Sequence, residues 1–397
     1  MATVLYLIKV GELTLKSGNL KDFEQRLVQN ARLFLEGTGS HVRLRAGRMY
    51  IEGPAQAETS ILYALEHLTG ITGWARAVIV DPVPESIKAA VVAEALAARD
   101  AGDKTFKVEC RRADKSFPLT SYELAAECGA SVFEQDILAV DVHNPDVTIT
   151  VEVREKTFVY GRTTRGRRGL PCGTGGRGLL LLSGGLDSPV AGYRMIRRGM
   201  KVDCIYFHSH PYTSPEARGK VEDLARLLAR YGLGTHLNIV PFTKIQEHIR
   251  NKAPAEYSTI LVRMAMMRVT NLLCRKIGSQ CIITGESIAQ VASQTIENLT
   301  VINTEAQWPV LRPLCGLDKQ EIIETAKEIG TYGISILPYE DCCVLFSPKH
   351  PVLRADPEHT KAIYDSLELD DLVNSAFEQR EHCRYGWNEK LVNTPRP

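Results

Sequence analysis

Hydrophobic positions along the chain change their period in blocks. Leu5 to Val10 is an apolar run of strand length, after which Leu20, Phe23, Leu27, Ala31 and Leu35 recur at helical spacing. A second strand is predicted across Val42 to Ile51. The next block predicts a helix at Ile61 to Leu68, a strand at Trp74 to Val80, a helix at Glu85 to Ala98 and a strand at Thr105 to Arg111. Ser121 is placed to cap a helix running to Phe133, and Val147 to Val153 with Lys156 to Tyr160 read as a closing hairpin. Beyond residue 178 the alternation becomes strict. Four leucines, Leu179 to Leu182, precede a glycine turn and a helix, then come strand Val202 to Phe207, helix Pro215 to Tyr231 and strand His236 to Val240. Helices from Thr243 and through Ile260 to Ile277, a strand at Cys281 to Thr284 and a helix opened by Asp318 with Glu321 complete the series.

Strict strand-helix alternation predicts a parallel sheet covered on both faces, with any ligand at the carboxyl ends of the strands. The expected fold class is therefore α/β, with two small α+β domains ahead of a C-terminal parallel-sheet domain. The expected division is a ferredoxin-like unit over 1–60, a second unit over 61–165, a Gly/Arg-rich linker over 166–178 and the parallel-sheet domain over 179–397.

Composition narrows the class. The 397 residues are 44% hydrophobic and 24% charged, as in ordinary soluble proteins. The chain holds no apolar run of membrane-spanning length, and its start is too quickly charged for a signal peptide, so a cytoplasmic location without membrane association is expected. Ten cysteines without any Cys-x-x-Cys argue against a disulfide framework and against a ribbon-type zinc site. Cys204, Cys274 and Cys281 sit in apolar runs as core residues do; the adjacent Cys342 and Cys343 do not. A formal net charge of +1 carries no global nucleic-acid signature. Two local patches do: Arg111, Arg112 and Lys115 beside Phe117, and Arg162, Arg165, Arg167, Arg168 and Arg177 in a stretch with no acid. Such cations grip phosphates, whereas a charge run is also what a solvated face looks like.

The chemistry centres on Ser183-Gly184-Gly185-Leu186-Asp187-Ser188. A tight glycine loop between strand and helix turns several N–H groups toward one anion at a helix N-terminus. No lysine follows the glycines, which excludes the mononucleotide P-loop. The hexapeptide resembles instead the PP-loop of the ATP pyrophosphatase superfamily (the adenine nucleotide α-hydrolase-like fold), which implies transfer of AMP with release of pyrophosphate. The stretch from Thr105 to Val132, with the later hairpin, resembles the THUMP domain of RNA-modifying enzymes.

GELTLKSGNLKDFEQRL at the front, SGGLDSPVAGYRMIRRGM, TGESIAQVASQTIENL and the run from Pro309 to Pro351 resemble the tRNA 4-thiouridine synthetase (ThiI) family nearly end to end. That resemblance implies ATP binding by Leu181, Leu182, Ser183, Gly184, Gly185, Asp187, Ser188, Tyr206, Phe207, Arg263, Gly285 and Gln294, with Asp187 as the ligand for Mg²⁺. It implies Cys342 as sulfur carrier, tRNA as partner held by Arg111, Arg112, Lys115, Arg162, Arg165, Arg167 and Arg168, and adenylation of uridine 8. The chain ends without a rhodanese extension, so a cysteine desulfurase is the expected persulfide donor. No iron–sulfur cluster is expected, since the Cys-x-x-Cys that accompanies one in some relatives is missing. Cys315, Cys172 or an external reductant would resolve Cys342, and some family members also feed a thiamine-pathway sulfur carrier protein. Ala289 stands where the family usually has glycine. The alternative is a non-catalytic tRNA-binding protein with a vestigial PP-loop. The oligomeric state, a homodimer included, stays open.

Overall fold

The computed structural model describes residues 2–15, 18–45, 47–113, 115–339 and 348–392. The chain divides into two compact units, 1–169 and 170–397.

In the first unit, β1 (Thr3–Val10), α1 (Leu20–Phe34), β2 (His41–Arg45), β3 (Arg48–Pro54), α2 (Glu58–His67) and β4 (Ile71–Arg76) form a βαββαβ module. Its antiparallel register sets Leu7 between Tyr50 and Ala75, and α1 buries Phe23, Leu27 and Ala31 of the face its periodicity predicted, with Phe34 beside them, while Leu20 stays half-buried. The module runs past the boundary expected at residue 60, because β4 pairs with β1. The single strand expected at Val42 to Ile51 is a hairpin, β2 and β3.

The second module holds β5 (Val78–Val80), α3 (Pro84–Asp100), β6 (Thr105–Arg112), α4 (Ser121–Phe133), β7 (Ala139–Val140), β8 (Val147–Val153) and β9 (Thr157–Tyr160), with sheet order β5-β9-β8-β6-β7. The run Trp74 to Val80, expected as one strand, serves two sheets: β4 closes the first and β5 edges the second. Ala77 is the pivot, buried and donating its N–H to the Leu5 carbonyl at 2.9 Å. Period-two alternation cannot report that change of partner. The cap of α4 is Thr120, one residue before the expected Ser121, in a capping box with Glu123. A last short strand, β10 (Thr164–Arg165), returns to pair with β4.

The second unit is built on a six-stranded sheet. Its elements are β11 (Arg177–Leu181), α5 (Asp187–Arg197), β12 (Lys201–His208), α6 (Pro215–Gly232), β13 (Thr235–Pro241), α7 (Thr243–Lys252), α8 (Ser258–Ile277), β14 (Cys281–Ile283), α9 (Ile296–Asn303) and β15 (Val310–Leu311). They continue with α10 (Lys319–Glu328), α11 (Tyr332–Ser335), α12 (Pro357–Ser366), α13 (Asp370–Glu378) and β16 (Glu381–Tyr385). The order is β15-β14-β11-β12-β13-β16, parallel except for β16. β12 and β13 follow β11 on one side and β14 sits on its other side, so the crevice between β11 and β14 is the topological switch point where α/β sheets bind ligands. The capping box expected at Asp318 and Glu321 opens α10. β16 has no apolar alternation and was not legible in the sequence.

Residues 170–176, part of the flexible linker expected over 166–178, are seated on this unit. Gly173 and Gly175 donate to the Gly199 carbonyl at 2.7 and 2.8 Å, and a Cβ on Gly175 would lie 2.6 Å from the Arg198 carbonyl oxygen. Glycine is thus required there for close approach, and no open tether runs through it.

Candidate active site

β11 carries its leucines into the core and delivers Leu182, whose N–H bonds the Ile205 carbonyl at 2.9 Å. The chain then turns through Ser183 to Leu186, and α5 begins at Asp187. The turn is held by its own serines. Ser188 Oγ accepts from the Ser183 N–H at 2.9 Å and lies 3.2 Å from both the Ser183 carbonyl and its hydroxyl, while Ser183 Oγ accepts from the Gly185 N–H at 3.3 Å. Ser335 of α11 donates to the Gly185 carbonyl at 3.3 Å. No side chain caps α5, so its first N–H groups and positive dipole end face the crevice.

A second loop follows β14. A Cβ on Gly285 would sit 2.6 Å from Ser188 N and 2.8 Å from Asp187 C, both backbone atoms that cannot give way. Glycine at 285 therefore lets the second loop press against the first. Glu286 beyond it is 1% exposed. Its Oε2 accepts from Arg312 Nε at 2.7 Å and Thr284 Oγ1 at 2.8 Å, and Arg263 Nη2 of α8 lies 3.5 Å from Oε1. Burial pushes this carboxyl up, but Arg263, Arg312 and the Thr284 hydroxyl together outweigh burial and hold it below the usual carboxylate range.

These pieces enclose one cavity of about 240 Å³, lined by Leu181, Leu182, Ser183, Gly185, Asp187 and Ser188, then by Tyr206, Phe207, Arg263, Gly285 and Gln294. Every residue expected at the nucleotide is there except Gly184, which belongs to the loop itself. Met266, Thr284 and Glu286 also line it and were missed; the glycine turn at 285 was the one local signal for the last two. Gln294 accepts weakly from the Ser287 N–H, at 3.4 Å.

Asp187 was expected to hold Mg²⁺. Its Oδ1 is 2.6 Å from Lys319 Nζ and its Oδ2 accepts from Gln290 Nε2 at 2.9 Å, two partners that sequence reading did not find. Lys319 is 132 positions away, so only the fold brings it in. The described residues hold no cluster of three or more His, Cys, Asp or Glu able to bind a metal. A carboxylate is the donor type that Mg²⁺ takes beside phosphate oxygens, and to hold that ion Asp187 would have to exchange its contact with Lys319 or Gln290.

The expected RNA-binding cations divide in two. Arg111, Lys115, Arg165 and Arg168 are exposed. Arg112 instead donates to the Phe117 and Leu119 carbonyls at 2.7 and 2.6 Å, and Phe117 is buried in the THUMP-like core. Arg162 pairs with Asp103 through contacts of 2.6 and 2.8 Å, Arg167 donates to the Glu66 carbonyl at 2.6 Å, and Arg177 pairs with Asp203 at 3.1 Å. The arginine stretch lacks acids of its own, but acids distant in sequence compensate two of its members.

Cys204, Cys274 and Cys281 are buried as expected. Cys172, considered as a resolving thiol, is also sealed, with contacts of 3.4 and 3.5 Å to the Met200 and Gly232 carbonyls. Cys315 is half-buried, 3.8 Å from the Glu286 carbonyl oxygen, and burial pushes its thiol up. Cys342 and Cys343 lie outside the described residues. No helix among the described residues is long and apolar enough to cross a membrane.

Comparison with known proteins agrees with this architecture. Family models match in order: the ThiI ferredoxin-like domain over 5–75, the THUMP domain over 84–160 and the thiamine biosynthesis protein ThiI over 173–369. A "Probable tRNA sulfurtransferase" of Treponema pallidum (strain Nichols) is 54% identical over 385 residues, 96% of each chain. One of the same name from Caldanaerobacter subterraneus subsp. tengcongensis is 45% identical over 94% of this chain and 98% of that one. A solved 4-thiouridine synthetase, crystallised with RNA and ATP, superposes with a TM-score of 0.88 at 37% identity, covering 97% of this chain and all of that one. With a PP-loop crevice behind ferredoxin-like and THUMP modules, and with these relatives along its whole length, the chain belongs to the ThiI family of tRNA sulfurtransferases.

Proposed function

We propose that the protein is an ATP-dependent tRNA sulfurtransferase that makes 4-thiouridine at position 8 of tRNA. The observation that carries this reading is the convergence of the PP-loop, Gly285, Arg263 and Gln294 on one cavity at the switch point of the sheet. The adenine lies against Leu181, Leu182, Tyr206 and Phe207, and the pyrophosphate takes the loop N–H groups and the N-terminus of α5. Arg263 and Lys319 supply positive charge to the phosphates, and Asp187 would hold a Mg²⁺ that would supply further positive charge to the pyrophosphate oxygens. O4 of the uridine attacks the α-phosphorus, pyrophosphate leaves, and a persulfide on Cys342 then displaces AMP from C4. Adenylation converts a poor leaving oxygen into a good one, and sulfur supplies the bond change.

The exposed Arg111, Lys115, Arg165 and Arg168 grip the tRNA backbone, so binding should weaken with salt. A cysteine desulfurase loads Cys342, and Cys315 or an external reductant resolves it. The same persulfide would serve a thiamine-pathway sulfur carrier protein.

The test is tRNA-dependent pyrophosphate release from ATP, with 4-thiouridine measured by mass analysis of the tRNA. Cys342→Ser should release pyrophosphate and form no 4-thiouridine. Full thiolation by this variant would remove Cys342 from its role. Absence of pyrophosphate release with every tRNA would turn the reading into a tRNA-binding protein with a vestigial loop.

A further inference from the structure

Glu286 belongs to the wall of the cavity and stands between two arginines that come from different parts of the chain. Its carboxylate is buried. Arg312, after β15, donates from Nε to Oε2 at 2.7 Å, and Thr284 Oγ1 donates to the same oxygen at 2.8 Å. Arg312 also donates from Nη2 to Asn303 Oδ1, at the end of α9, at 2.8 Å. Arg263 of α8 meets the other oxygen. Its Nη2 lies 3.5 Å from Oε1, beyond the roughly 2.7–2.9 Å of a charge-assisted hydrogen bond.

A buried acid is costly unless it is paired, and an apolar residue would close the same wall without that cost. The carboxylate is kept ionised by the two guanidiniums and the Thr284 hydroxyl, which outweigh its burial. Two guanidiniums against one carboxylate leave a surplus of positive charge, so the wall still attracts an anion. The two arginines differ in what they do. Arg312 is bound at short distance to Glu286 and Asn303, whereas Arg263 lines the cavity and is drawn to Glu286 over a longer contact. A guanidinium carries several N–H donors in a fixed fork, so one edge can face Glu286 while another meets a ligand. An arginine side chain has many rotamers, and ordering it before the ligand arrives removes that cost from binding.

We propose that Glu286 is a positioning residue: its carboxylate, clamped by Arg312 and Thr284, sets the Arg263 guanidinium in place for ATP, an assignment that rests on reading this cavity as the ATP site. Glu286 acts through Arg263 and needs no contact of its own with ATP or with the acceptor base.

The experiment titrates the full chain with ATP by calorimetry. Arg263→Gln should weaken binding by about thirtyfold, and Glu286→Gln, which keeps an acceptor for Arg312 and Thr284 but not the charge that draws Arg263, by about tenfold. Added to Arg263→Gln, Glu286→Gln should change affinity by less than about twofold, because its effect passes through the missing guanidinium. Glu286→Asp keeps the charge and should bind ATP more tightly than the amide variant. Glu286→Gln also strips Arg312 of its counter-charge, so a further variant, Glu286→Gln with Arg312→Met, removes both partners and leaves no stranded charge between them. It should bind ATP as weakly as Glu286→Gln alone. Wild-type affinity in that variant would make Glu286 only a counter-ion for Arg312 and overturn the proposal. So would unchanged binding by Arg263→Gln, losses that multiply in Arg263→Gln with Glu286→Gln, or a greater loss in Glu286→Asp than in the amide. A wild type that binds no ATP would overturn the reading of the cavity itself.

Discussion

Ala289 shows how one position reports on a site. It is left-handed, with φ 62°, a conformation in which a Cβ costs about 1 kcal/mol or more. Glycine, the residue that the family resemblance leads one to expect, adopts that region without a Cβ clash. The loop holds the conformation because Ala289 N bonds the Gln294 carbonyl at 3.0 Å while the next residue, Gln290, reaches Asp187. Ala289→Gly should raise stability by about 0.5 kcal/mol, since the relief of strain is partly offset by a more flexible unfolded chain. Ala289→Val should lower it by about 1–2 kcal/mol, because a β-branched residue tolerates that region least. Urea unfolding of both variants checks the pair; the opposite order would mean that the loop relaxes freely. The departure at 289 was visible in the sequence, but its conformational meaning was not, because φ is set by the bonds that close the loop.

At the scale of elements, the edge of the large sheet is built from histidines and ion pairs. His208 ends β12, and burial, reinforced by Arg218 and His210, holds its pKa below the ordinary 6.5. His236 of β13 and His382 of β16 meet at 2.9 Å between ring nitrogens, and burial with the His382 charge also pushes His236 down, against the pull of Asp203. A histidine with a depressed folded pKa binds fewer protons folded than unfolded below its unfolded pKa. Stability is therefore complete above about pH 6.5 and falls as pH drops below it. The urea midpoint should decline between roughly pH 7 and pH 5, and His208→Gln with His236→Gln should flatten that decline. An unchanged slope in the double variant would assign it to other groups. Arg218 spans α6 to β16 through two contacts of 2.9 and 2.7 Å to Glu381, so the same edge is also tied by charge.

Across the first unit, a buried ion network ties its two modules together. Glu152 of β8 is fully buried and accepts from Arg48 of β3 at 3.0 Å, Arg154 at 3.0 Å and the Tyr160 hydroxyl at 2.9 Å. Burial, then the Glu152 charge, pushes the Tyr160 hydroxyl up, keeping it a donor. Removing one partner of a buried pair strands the other, so Glu152→Ala should cost about 3–5 kcal/mol, visible as a lower calorimetric transition of this unit. A change within about 0.5 kcal/mol would show that the modules are held by Tyr50, Phe158 and their apolar neighbours instead. Much of the molecule was legible without coordinates. Helices and parallel strands follow from periodicity, caps from Asp318 and Glu321, and the phosphate loop from glycine and serine spacing, because each of these is settled by neighbours in sequence. The split of Trp74 to Val80 between two sheets, the docking of 170–176, the pairing of Arg162 and Arg177 with distant acids, and the meeting of Lys319 with Asp187 were not legible. Local sequence determines which backbone conformation is favourable and which face is apolar. Which charge meets which depends on packing that brings together positions far apart in the chain, and only the tertiary structure decides it.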